Sequence, residues 1–319
     1  MHQRKLAPFI LSIALAASPC LGTGLFGNKI AAMVTFGDSY SVQNVGDGRV
    51  QWPDYVAGYL KIALYDYARS GATCSDLLTP REYPGVTEDE LPLFLQQKKN
   101  GTVVLDRDPL KTIYTLWVGT NDVGAGCLLT GDQKPGATIV DTTKCTIEWA
   151  KTLYKNGARN FLFQNMVPLQ RIPMYARDAY PTRYWKAAKN ATEWNTFILE
   201  LVNSGNALSR YMLTDLAPQL PGAHVGLFDS YGLFTDILDH PKLYLNGTAP
   251  YNTTGSVNPC VYAVDGHDPL YCTLVNGTDA DSYVWHNELH ASHQTNRVVA
   301  KEIASVIRGE KNKWVTWLS

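Results

Sequence analysis

Short apolar runs alternating with longer helical patterns predict an α/β sandwich, a mostly parallel sheet covered by helices on both faces. Two further observations support it. The β-rich runs are apolar throughout instead of alternating, as strands buried on both faces are, and no internal repeat, low-complexity tract or charge block breaks the pattern. The strands are expected at Ala32 to Phe36, Ile62 to Ala68, Thr112 to Val118, Asn160 to Val167 and His224 to Phe228. Between them, Thr146 to Lys155 places Ile147, Ala150 and Tyr154 on one side. Ala187 to Leu216 carries Trp194, Phe197, Ile198, Leu201, Leu208 and Met212 at helical spacing. Ser292 to Arg308 carries Val299, Ile303, Val306 and Ile307, with Ser292 as the N-cap and Gly309 as the stop. Residues 238–282 are rich in Gly, Pro, Asn and Asp and hold two cysteines, so they read as a long disulfide-pinned loop inserted before the last helix.

The chain has 319 residues, 45% hydrophobic and 18% charged, a globular composition accommodated by one large domain. Its net charge of -1 offers no basic excess to neutralise phosphates, which argues against a nucleic-acid partner. The start is a basic His2-Gln3-Arg4-Lys5 followed by an apolar run from Leu6 to Ala17 with small residues behind it. That is the layout of a secretory signal peptide, expected to cover residues 1–22 and to leave 23–319 as a single domain. The run is shorter than the roughly 20 apolar residues of a membrane span, and no later stretch qualifies.

Five Asn-x-Ser/Thr triplets, at Asn100, Asn190, Asn246, Asn252 and Asn276, fit an extracellular, glycosylated and monomeric product. Beyond Cys20, in or beside the leader, five cysteines remain, so one should stay unpaired. Proximity in sequence favours Cys127–Cys145 and Cys260–Cys272 as bridges, leaving Cys74 a buried thiol. No Cys-x-x-Cys spacing suggests a metal.

Four blocks carry the chemistry. Phe36-Gly37-Asp38-Ser39-Tyr40-Ser41 follows the first strand directly. A serine on a strand-to-helix turn exposes its hydroxyl beside backbone N–H groups, although Gly-Asp-Ser also supplies ordinary turns and caps. Ala68-Arg69-Ser70-Gly71-Ala72 ends the second strand, where Gly71 can let its N–H approach a substrate oxygen or simply turn the chain. Thr115 to Asp122 ends the third strand, and the Asn121 amide there can donate to an oxyanion or satisfy a turn. Trp285-His286-Asn287-Glu288-Leu289-His290-Ala291-Ser292 opens the last helix and offers a general base. His267, His286 and His293 compete with His290 for that part.

Taken together and in this order, the four blocks resemble the SGNH, or GDSL-type, hydrolase superfamily, from Phe36 to about Arg308. The resemblance implies a three-layer, flavodoxin-like α/β/α sandwich and a serine acyl-transfer mechanism that needs no cofactor and no metal. It implies Ser39 as nucleophile, the Ser39 and Gly71 N–H groups with Asn121 as oxyanion donors, and His290 as base. The family's last block is usually Asp-x-x-His, often followed by Pro. Here Asn287 takes the Asp position and Ala291 the Pro position. Asn287 cannot supply a negative charge, but its amide oxygen can orient His290. Glu288 next to it points off the expected side.

The wording FGDSYS, Gln51-Trp52-Pro53-Asp54-Tyr55, WVGTND and ELH is most similar to secreted fungal acetylesterases of carbohydrate esterase family 16. The substrate implied is an acetylated plant cell-wall oligosaccharide or a related small ester. A GDSL-type lipase on lipid esters is the alternative within the superfamily, and a sugar-binding protein that has lost catalysis is the alternative outside it.

Overall fold

The computed structural model describes residues 25, 29–43 and 48–319; the expected leader of residues 1–22 lies outside the described residues. The central sheet has six strands: β1 (Ala32–Gly37), β2 (Ala63–Asp66), β3 (Thr112–Trp117), β4 (Asn160–Gln164), β5 (His224–Phe228) and, at the C-terminus, β10 (Val315–Trp317). Their order is β10-β5-β4-β3-β1-β2. The first five run parallel, and β10 pairs antiparallel with β5.

Every residue of β1, β3 and β4 is buried, which is why these runs are apolar on both faces. Register aligns Val34, Tyr114, Phe161 and Val225 across four strands. On that face they pack with Phe36, Phe94, Trp149 and Leu213 from β1 and from helices α2 (Leu91–Lys99), α4 (Ile139–Lys155) and α5 (Ala191–Leu216). Met33, Ile113 and Leu162 belong to the other core, with α1 (Trp52–Leu60), α6 (Ser230–Asp239) and α7 (His293–Ile307). These are the three layers.

Local signals explain the ends of the elements. Ser292 caps α7, accepting from the Thr295 N–H. The helix expected from Thr146 starts seven residues earlier, at Ile139, because Thr138 and Asp141 form a reciprocal capping box. The helix expected from Ala187 starts at Ala191, capped by the Asn190 side chain. The second strand is shorter than the expected Ile62 to Ala68, and as the sheet edge it is only half-buried. The insertion is more ordered than a loop. It contains β6 (Asn252–Ser256), paired with β9 (Tyr283–Trp285), and the hairpin of β7 (Cys260–Tyr262) and β8 (Pro269–Cys272).

One disulfide expectation is corrected. Cys260 is joined to Cys272, but Cys145 is joined to Cys74, not to Cys127, and Cys127 is the buried free thiol. Loop-closure entropy grows only logarithmically, so closing 71 residues instead of 18 costs only about 1.2 kcal/mol more. Packing of the loop after β2 against α4 decides the partner instead. The Asp122 carboxylate accepts from the Cys74 N–H, and the Thr87 hydroxyl donates to the Cys74 carbonyl while contacting Cys145 Sγ at 3.2 Å.

Among the described residues, no helix is long and apolar enough to cross a membrane.

Candidate active site

Because β1 lies between β2 and β3, the order in which strands are added to the sheet reverses at β1, and the carboxyl ends of these three parallel strands open onto one crevice. Ser39, Gly71 and Asn121 each follow one of them, and His290 comes from the turn before α7. All four line a single cavity of about 350 Å³.

The turn carrying Ser39 is tightly specified. Gly37 has φ +128°, and a Cβ there would lie 1.9 Å from the Trp117 carbonyl oxygen, so only glycine fits where β1 ends beside the end of β3. Asp38 accepts from the Tyr40 N–H through Oδ1, and Gln51 donates to the Ser39 carbonyl. Glu90 accepts from the Gly37 N–H. Burial pushes the Asp38 carboxyl up to about 7 and the Glu90 carboxyl well above its ordinary value.

Ser39 Oγ is 2.7 Å from His290 Nε2. On the other side of the ring, Nδ1 is 3.0 Å from Asn287 Oδ1. That oxygen also accepts from the backbone N–H groups of Leu289 and His290 at 3.1 and 2.9 Å, which identifies it as the amide oxygen. Nδ1 therefore carries the proton, and Nε2 is free to accept from the serine hydroxyl. Burial first, then the charges of Arg49, His286 and Arg183, hold the His290 ring well below the ordinary imidazole value. The ring is neutral, as a general base must be.

Gly71 has φ +82°, and the Tyr83 ring lies where a Cβ would project, 2.4 Å from Cγ. Neither the Ser39 N–H nor the Gly71 N–H donates to a protein acceptor among the described residues. Asn121 is held at both ends of its amide. Nδ2 donates to the Ala72 carbonyl at 2.9 Å, and Oδ1 accepts from Arg81 Nη1 at 2.7 Å. The adjacent Asp122 turns away from the cavity and anchors the loop after β2 by accepting from Cys74 N–H and the Thr79 hydroxyl.

The competing histidines are elsewhere. His286 and His293 face each other across a separate cavity with Asp281 and Arg297, and His267 is exposed. Glu288 is fully buried and accepts from the Cys260 N–H, with Arg183 Nε 3.5 Å from its other oxygen, so it does not reach His290. Sequence reading missed Arg81, Arg183 and Tyr184, all on the cavity wall. Arg81 lies in a Pro-rich loop, and Arg183 and Tyr184 lie in an irregular segment between β4 and α5. No periodicity or motif marks either.

A serine hydroxyl beside an imidazole nitrogen, with two N–H groups that meet no protein acceptor among the described residues and a pinned amide nearby, is an arrangement that acyl transfer can use. Residues 33–303 match the family model of the GDSL-like lipase/acylhydrolases. The chain belongs to this family. The GDSL-type protein is a carboxylic ester hydrolase, similar to an acetylesterase of Hypocrea jecorina at 28% identity over 89% of this chain and 91% of that protein. It is also similar to an acetylesterase of Thermothelomyces thermophilus, at 21% identity over 87% of this chain and 88% of that one. Among solved structures, an acetyl xylan esterase from Geobacillus stearothermophilus aligns over 90% of this chain and 98% of its own, with a TM-score of 0.47 and 10% identity.

Proposed function

We propose that the GDSL-type protein is a secreted acetylesterase that removes acetyl groups from plant cell-wall carbohydrates, xylan fragments in particular. The observation that carries the catalytic part is the 2.7 Å contact between Ser39 Oγ and His290 Nε2 at the edge of a cavity that also holds Gly71 and Asn121. Ser39 attacks the ester carbonyl as His290 takes its proton. The carbonyl oxygen becomes an oxyanion held by the Ser39 and Gly71 N–H groups and the Asn121 amide. As the intermediate collapses, His290 protonates the sugar oxygen whose bond to the acetyl carbon breaks, so that it leaves as a hydroxyl. Water, deprotonated by His290, attacks the acetyl-serine, and collapse releases acetate and restores Ser39.

The acetyl assignment draws on the two acetylesterase relatives, and the carbohydrate assignment on the sequence resemblance to carbohydrate esterase family 16. Secretion draws on the leader-like residues 1–22, the two disulfides and the five glycosylation triplets. Asn100, Asn190, Asn246 and Asn276 are exposed and Asn252 is half-buried, so a glycan on any of the first four meets no packing.

Acetate release from acetylated xylo-oligosaccharides and from aryl esters of increasing acyl length tests the reading. Acetyl preference, abolished in a folded Ser39→Ala protein, is the expected result. Preference for long acyl chains would make it a lipase. Sugar binding with no hydrolysis would make it a lapsed enzyme.

A further inference from the structure

We propose that Tyr184 is a positioning residue for His290, sharing with Asn287 the part that a single acidic residue plays in a Ser-His-Asp triad. The inference rests on the esterase reading above. The Tyr184 hydroxyl lies 3.1 Å from His290 Nδ1, the same nitrogen that meets Asn287 Oδ1. Because the amide oxygen is an acceptor only, Nδ1 is a donor, and the Tyr184 oxygen therefore accepts. The two acceptors share one N–H.

A second acceptor has a physical reason. Asn287 Oδ1 already takes two backbone N–H groups in addition to the imidazole. It is neutral and crowded, so it stabilises an imidazolium less well than a carboxylate does. When the Ser39 proton reaches Nε2, the Tyr184 oxygen supplies a further negative dipole at Nδ1. The Tyr184 ring also meets the imidazole edge-on, with centroids 5.5 Å apart, which restricts the tilt of the ring. The remaining groups facing His290 are Ser39 at Nε2, the Tyr40 ring at 5.8 Å, and the charges of Arg49, Arg183 and His286. Among these His290-facing groups there is no carboxylate.

The insertion delivers Tyr184. Residues 181–186 are clasped by the disulfide-closed β7–β8 hairpin and the turn before it. Tyr262 N–H donates to the Pro181 carbonyl, Asp265 N–H to the Lys186 carbonyl, and Arg183 Nη2 to the Asn258 carbonyl. Through the Cys260 N–H, the same hairpin holds Glu288, two residues before the base. One inserted element thus sets both the histidine turn and the tyrosine that faces it.

Tyr184→Phe keeps the ring and removes the oxygen. On an aryl acetate we expect kcat to fall about tenfold, as for loss of one hydrogen bond to a charged group, with KM within about twofold. The acid limb of kcat/KM should move to lower pH, because the imidazolium loses an acceptor. Asn287→Asp should move that limb the other way and make Tyr184→Phe less costly in its background. An NMR titration of His290 reads the same downward shift without turnover, so it decides the matter even if the ester substrate is wrong. Wild-type protein with no Ser39-dependent hydrolysis overturns the esterase reading alone. An unmoved His290 titration in Tyr184→Phe, or a change in KM only, overturns the role of Tyr184.

Discussion

Replacing Arg81 by methionine keeps an unbranched apolar stem and removes two charge-assisted hydrogen bonds, one to Asn121 Oδ1 and one to the Ala125 carbonyl, both 2.7 Å. Asn121 is only 7% exposed, so water does not readily replace the lost donor. The amide then keeps its orientation through the single bond from Nδ2 to the Ala72 carbonyl. A neutral bond of about 1 kcal/mol biases the two amide orientations only about fivefold. The guanidinium also draws electron density toward Oδ1 and sharpens the N–H donor, and that polarisation disappears. Complete loss of one oxyanion donor costs about 10²–10³ in kcat. Arg81→Met leaves Asn121 present but loosely held, so kcat should fall about ten- to a hundredfold with little change in KM. The stability loss should be about 2 kcal/mol, below the sum of two charged hydrogen bonds because Arg81 is partly exposed. Kinetics on an aryl acetate for Arg81→Met, Asn121→Ala and the double variant, with thermal melts as a folding control, measure this. A residue acting through Asn121 adds nothing once Asn121 is gone. Wild-type kcat in Arg81→Met, or a double variant far slower than Asn121→Ala, would refute the reasoning.

Gly71→Ala should combine a left-handed backbone penalty of about 1–2 kcal/mol with displacement of the Tyr83 ring, and kcat/KM measured beside melts should drop even where the protein stays folded. Cys145→Ala opens a bridge spanning 71 residues and should destabilise by about 4 kcal/mol, against about 3 kcal/mol for Cys272→Ala across 12 residues, as read from denaturant midpoints; peptide mapping that found Cys127 in a bridge would contradict the pairing. The His290 imidazole must be neutral to act and is held below the ordinary 6.5 by burial, Arg49, His286 and Arg183, so the acid limb of kcat/KM should lie below pH 6.5. Stability should run the opposite way: Asp38 and Asp66 at about 7 and Asp122 at about 6, all raised by burial, bind protons more tightly folded than unfolded, so their contribution is full below about pH 4 and lost by about pH 7. A Tm that rises between pH 4 and 8 would show that other groups dominate.

Much of the fold was legible because it is written locally. Continuous apolar runs marked the five parallel strands, since a strand covered on both faces tolerates no alternation, and Ser292 announced α7 by its capping chemistry. The four blocks at Ser39, Gly71, Asn121 and His290 were readable for the same reason: each is a short turn at the end of an element, with its own glycine or polar signature. What lay beyond reach was pairing between distant segments. β10 reads as three residues of tail until β5 offers it an edge, and Cys145 finds Cys74 instead of the nearer Cys127 because closing a longer loop costs so little that packing decides. Arg81 and Tyr184 lie in irregular loops with no periodicity to betray them. The sequence by itself determined which residues stand at the strand ends; only the tertiary structure decided which side chains reach across to hold them, because those contacts depend on how separate loops meet in space and leave no pattern along the chain.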